Sequence, residues 1–147
     1  MAKSKRTLVL FIVSGLIIIG TLIGFYLYNK GPKDVEYASG TKVAAPELYQ
    51  AFISGGVSAK EKFTDKILEV SGQVIKIAQN QQNQAIIFLK TNQEGASINC
   101  TMEGAAENAK EGNNVSIKGI CSGLEPGDAD LGILGDVYLI RCYLEKE

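Results

Sequence analysis

From Ile67 to Glu145 the apolar residues fall at strand spacing in five separate segments, and the stretches between them are rich in Asn, Gln and Gly, which suit turns. Short strands leave unpaired edges, so a chain of this pattern is predicted to be mainly β and to close on itself. The segments are ILEVSGQVIKIAQ (Ile67 to Gln79), AIIFLKT (Ala85 to Thr91), ASINCTM (Ala96 to Met102), NVSIKGICSGL (Asn114 to Leu124) and DVYLIRCYLE (Asp136 to Glu145). In the first, Leu68, Val70 and Val74 alternate, and Gly72 suits a bend or bulge. In the third, Ala96, Ile98, Cys100 and Met102 fall on one face and Ser97, Asn99 and Thr101 on the other, as in a half-buried strand. NQQN (Asn80 to Asn83) and NQEG (Asn92 to Gly95) read as turns, and the Ala-rich stretch Gly104 to Lys110 as one or two helical turns.

Ahead of the strands, Pro46 to Phe63 carries a helical pattern. Pro is tolerated in the first turn, Glu47 sits at the positive end of the helix dipole, and Leu48 and Phe52 share a face. Gly55-Gly56 weakens the helix before Ala59 and Phe63 resume it. Asn29 to Ala44 is polar, lacks apolar periodicity and reads as a linker.

The first 28 residues have another character. Residues 1–6 form a basic tail with Lys3, Lys5 and Arg6, and Thr7 to Tyr28 is an uncharged apolar run. About 20 apolar residues suffice to cross a bilayer as a helix, so residues 7–28 are predicted to be a transmembrane helix with the lipid bilayer as its partner. The positive-inside rule then places the N-terminus in the cytoplasm and the C-terminal domain outside it, in a single-pass protein of the inner cell membrane. A cleaved signal peptide is the competing reading. The length of the run and its ending in Phe25, Tyr26 and Tyr28 favour an uncleaved anchor. Gly20 and Gly24 have helix-dimer spacing, but glycine is ordinary in membrane helices.

Three strands in a meander, a short connection and two further strands is the order of a five-stranded OB barrel. The segments LYQAF (Leu48 to Phe52), ILEVSGQV (Ile67 to Val74), Ile98-Asn99-Cys100, VSIKGICSG (Val115 to Gly123) and GDVYLIRCYL (Gly135 to Leu144) resemble the tRNA_anti-like family of bacterial OB-fold domains over roughly residues 45 to 147. The resemblance implies an OB barrel behind a helix, commonly following an N-terminal membrane segment in envelope proteins. It brings no catalytic residues, and its name records a likeness of fold rather than a ligand.

Composition removes several chemistries. There is no His, which excludes Ser-His-Asp, Cys-His and histidine-metal sites. Residues 31–147 keep eleven of the fifteen basic residues and all sixteen acidic ones, a net charge of -5 that disfavours a polyanion. Nucleic acid is therefore a disfavoured partner and an envelope protein the favoured one.

Phe88 and Lys90 are the only candidates for a stacking platform on the second and third strands, and Phe88 lies in the run IIFL, where a core role outweighs a stacking one. Tyr138 and Tyr143 could line a groove on the last strand, although half-burial is the default.

Cys100, Cys121 and Cys142 fall on neighbouring strands of such a sheet. Cys121 with Cys142 is the favoured disulfide, against a fully reduced, buried trio of nearly equal weight. No CxxC pair or His supports redox catalysis, and three thiols alone do not complete a metal site. The loop GLEPGDADLGILG (Gly123 to Gly135) carries Asp128 and Asp130, which read as a solvated acidic turn lacking the ligand set of a calcium loop. Its Leu131, Ile133 and Leu134 either form an exposed apolar tip for a partner or fold over the barrel mouth.

No cofactor and no metal are expected. The leading expectation is a noncatalytic, membrane-anchored binding or scaffolding module of the cell envelope. The alternative is a single-stranded nucleic-acid or oligosaccharide binder. An enzyme ranks last, with Asp128, Asp130 and Asp136 as its only acidic cluster.

Overall fold

The computed structural model describes residues 13–25, 34–128 and 130–145. They belong to two compact units, residues 1–34 and 35–147.

In the first unit, residues 13–25 form helix α1. Among the described residues, no helix is long and apolar enough to cross a membrane. The predicted transmembrane helix is corrected accordingly, and the lipid bilayer as a partner is left without support. The rest of that run, the basic tail and Tyr26 and Tyr28 lie outside the described residues.

The second unit runs β1 (Thr41–Ala44), α2 (Ala45–Phe63), β2 (Ile67–Gln79), β3 (Ala85–Lys90), β4 (Ser97–Met102), β5 (Asn114–Glu125) and β6 (Asp136–Leu144). Strands β2 to β6 close into a five-stranded barrel in the order β2-β3-β4-β6-β5, with β5 pairing back onto β2. β2 makes closure possible because it is long enough to serve two neighbours on one edge. Its first half pairs with β1, and its second half pairs with β3 beyond a register shift between Val74 and Lys76. The opposite edge of Ile67 to Gln73 pairs with β5.

β1 stands outside the ring and runs parallel to β2. It corrects the predicted linker, whose second half is part of the domain. Four residues are too few to announce a strand by periodicity, and these become one because β2 has a free edge there. The predicted helical turns at Gly104 to Lys110 are also absent. That connection is built of turns, with Ala109 N–H donating to the Ala106 carbonyl at 3.0 Å.

α2 supplies the core with Ala45, Leu48, Tyr49, Phe52, Ala59 and Phe63. The break predicted at Gly55-Gly56 is present, because Gly56 has φ 48° and ψ -116°, a conformation open to glycine alone. Opposite α2, the barrel contributes the alternating set expected from the pattern. Leu68, Val70, Ile87, Leu89, Ile98, Cys100, Ile117, Cys121, Leu139 and Cys142 all have no measurable exposure. Gly72 lets helix and barrel approach closely, since a Cβ there would lie 2.9 Å from the Ala45 Cβ.

Candidate binding face of the barrel

Alternation decides which side chains leave the core. In β3, Ile87 and Leu89 point inward and are fully buried, so Phe88 between them points outward and is half-buried. This corrects the core role favoured for Phe88. A continuous apolar run hides its own period, and the barrel restores it.

The register then assembles one row across four strands. Lys76 on β2 pairs with Phe88, Phe88 with Asn99 on β4, and Asn99 with Tyr138 on β6. The Lys76 ammonium lies 5.5 Å from the centre of the Phe88 ring, within cation-π range. Exposed Lys90 belongs to the next row, opposite Ser97. The predicted candidates Phe88, Lys90 and Tyr138 thus share one outer face.

Behind that face lies a polar cluster. Asp136 Oδ1 accepts from the Ser97 N–H at 2.7 Å, and Asp136 Oδ2 accepts from Asn99 Nδ2 at 3.2 Å. The Ser97 hydroxyl stands 2.7 Å from Asn99 Oδ1 and 3.1 Å from Asp136 Oδ1. Ser97 and Asn99 are therefore buried on the outer side of the sheet without an unmet polar atom. Sequence reasoning missed Lys76, Ser97 and Asn99 as members of this face, because only the pairing of β2, β3, β4 and β6 reveals them.

A second outer row is apolar. Ile67 pairs with Ile120, and Ile120 with Ile140. None of the three belongs to the core, and Ile140 is 43% exposed. Ile140 follows Tyr138 at strand period, which makes this row continuous with the aromatic one.

The loop after β5 carries apolar side chains of its own. Leu131, Ile133 and Leu134 are all exposed, which selects the projecting tip over the folded-back alternative. Asp128 Oδ1 accepts from the N–H groups of Asp130 and Leu131, at 3.0 and 3.3 Å, and so shapes the turn. The base of the loop is fastened to α2, where the Tyr49 hydroxyl donates to the Gly135 carbonyl at 3.0 Å. Burial, followed by the nearby Asp136 charge, raises the Tyr49 phenol above its usual pKa.

Cys100, Cys121 and Cys142 are free, buried thiols. Burial pushes Cys121 up to about 11. Cys142 is also raised, first by burial and then by a hydrogen bond with Cys100. Among the described residues, no cluster of His, Cys, Asp or Glu is arranged to hold a metal ion. Asp128 serves its own turn and Asp136 the Ser97-Asn99 cluster, so these two carboxylates hold separate structural roles.

The model of the tRNA_anti-like family matches residues 1–131. No protein of curated function matches the sequence. Among solved structures, a protein provisionally named a nucleic acid-binding lipoprotein, from Klebsiella pneumoniae, is similar at 17% identity and a TM-score of 0.48, with 79% of this chain and 100% of that one covered. A protein provisionally named an aspartyl-tRNA synthetase, from Leishmania major, is similar at 12% identity and a TM-score of 0.44, with 79% of this chain and 22% of that one covered.

Proposed function

This chain belongs to the tRNA_anti-like family, and on that footing we propose that it is a noncatalytic binding module that docks a protein partner through the outer face of its barrel. The observation that carries this reading is the apolar row Ile67, Ile120 and Ile140, continuous with Tyr138 and lying outside the core. Water-facing apolar side chains that form a connected surface are characteristic of interfaces, with aromatic residues at the centre and charged ones at the rim. Here the aromatics are Phe88 and Tyr138, and the rim holds Lys76 and Lys90. The exposed Leu131 and Ile133 add further apolar side chains on the loop after β5. The net charge of -5 over residues 31–147 suits a protein better than a polyanion. The noncatalytic reading is supported by the absence of His, by protonated thiols and by carboxylates committed to turns and strand pairing.

A second reading, single-stranded nucleic acid, is favoured by one observation. Lys76 lies over Phe88, with Lys90 and Tyr138 on the same face, and a base could stack where a lysine neutralises its phosphate. Fluorescence anisotropy of labelled single-stranded DNA and RNA against the full chain, at low and physiological salt, separates the two. The protein-docking reading predicts no saturable binding at physiological salt. Binding that persists there and is lost in Phe88→Ala would transfer the face to nucleic acid.

A further inference from the structure

A second recess lies away from this face, where the start of β5, the end of β6 and the turns after β4 converge with Glu36. Its volume is about 680 Å³, within the roughly 300–1,000 Å³ usual for small-ligand sites. The Tyr143 ring forms one wall. It packs against Gly104, where an ideal Cβ would fall 2.7 Å from Tyr143 Cδ1, so the ring occupies space that a side chain at 104 would claim. The remaining lining mixes apolar Ala105, Val115 and Leu144 with polar Glu36, Asn108, Asn114, Ser116 and Glu145. Lys118, at the margin, is already paired with Glu145 and donates to the Glu36 carbonyl at 3.3 Å. The Glu36 carboxylate and the Asn108 and Asn114 amides have no hydrogen-bond or ion-pair partner among the described residues.

We propose that this cleft binds a short oligosaccharide bearing free amino groups. Each carboxamide offers both donors and an acceptor, which matches hydroxyl groups that donate and accept at once. The Glu36 carboxylate favours an ammonium and repels phosphate or uronate, and Lys118 at the margin is engaged by Glu145. The Tyr143 ring presents an apolar wall to the C–H face of a sugar ring and attracts an adjacent ammonium. An extended peptide fits less well. It would need a free strand edge, but β5 and β6 are paired with each other here, up to the bond from the Glu145 N–H to the Ser116 carbonyl at 2.9 Å. The site shares no side chain with the outer face of β3, β4 and β6, so it stands or falls independently of the docking reading.

The test is a titration of the isotope-labelled full chain, followed by amide NMR, with glucosamine trimer, its fully N-acetylated counterpart and spermidine. The expected result is saturable shifts at Gly104, Ala105, Ser116 and Tyr143 with glucosamine trimer. Glu36→Gln and Asn108→Ala, both at exposed positions, should each weaken binding tenfold or more while leaving the spectrum of the free protein dispersed. The acetylated trimer should bind more weakly and be indifferent to Glu36→Gln. Absence of saturable shifts at these amides at millimolar ligand would overturn the proposal. So would spermidine binding as tightly as the glucosamine trimer, because charge alone would then explain the site.

Discussion

Asp136 grips Ser97 through a single oxygen, with Oδ1 lying 2.7 Å from the Ser97 backbone nitrogen and 3.1 Å from its hydroxyl oxygen. The contact ties the first residue of β6 to the first residue of β4, the parallel pair that completes the ring.

Replacing Asp136 with Ala strips an acceptor from a partly buried N–H and leaves Asn99 with one partner fewer. A cost of about 1–3 kcal/mol is expected. Asp136→Asn keeps one acceptor and should cost less. Urea denaturation followed by circular dichroism measures both, and an Ala variant as stable as the parent would show that the contact does not hold the ring.

Much of this arrangement was legible beforehand. The bounds of β2 to β6 followed from period-two alternation punctuated by turn residues, and the kink in α2 from Gly55-Gly56, because both signals are local. What escaped was non-local. β1 exists only because β2 offers an edge, the burial of Ser97 depends on a carboxylate from another strand, and the outward turn of Phe88 was masked by apolar neighbours on both sides. The apolar N-terminal run read as a membrane span, whereas among the described residues no helix is long and apolar enough to cross a membrane.

Gly119 faces the barrel interior opposite Cys142, and a Cβ there would fall 2.5 Å from Cys142 Sγ and 3.2 Å from the Ile140 carbonyl oxygen. Backbone and a buried thiol yield poorly, so Gly119→Ala is expected to destabilise by about 1–3 kcal/mol through overpacking. Gly95→Ala meets no atom within 4 Å but has φ 85°, so any loss there reports backbone strain instead. Thermal melts of the two variants distinguish crowding from strain: a Gly119→Ala protein with an unchanged midpoint would contradict the packing described at Cys142.

The buried thiols set a pH dependence. Cys121 is raised from an ordinary 9.0 to about 11, and Cys142 is raised as well, so the unfolded chain releases these protons before the folded one does. Their contribution to stability is complete below pH 9 and is lost as pH climbs toward about 11. Denaturation midpoints across that window should fall with pH, and Cys121→Ala should flatten part of the slope. In the native protein at neutral pH the thiols should resist alkylation, and they should react fully once unfolded. Rapid labelling of Cys121 in the folded state would contradict its burial.

The central claim is that the outer face of the barrel meets a protein, and site-specific photo-crosslinking in living cells tests it most directly. A photoreactive residue is placed in turn at Phe88, Tyr138 and Ile140, and at Glu61 on the exposed side of α2 as a control. The account predicts one discrete protein adduct from the three face positions, none from Glu61, and loss of that adduct when Ile120→Asp is introduced. No adduct from the face, or an equal adduct from Glu61 that Ile120→Asp leaves intact, would contradict it.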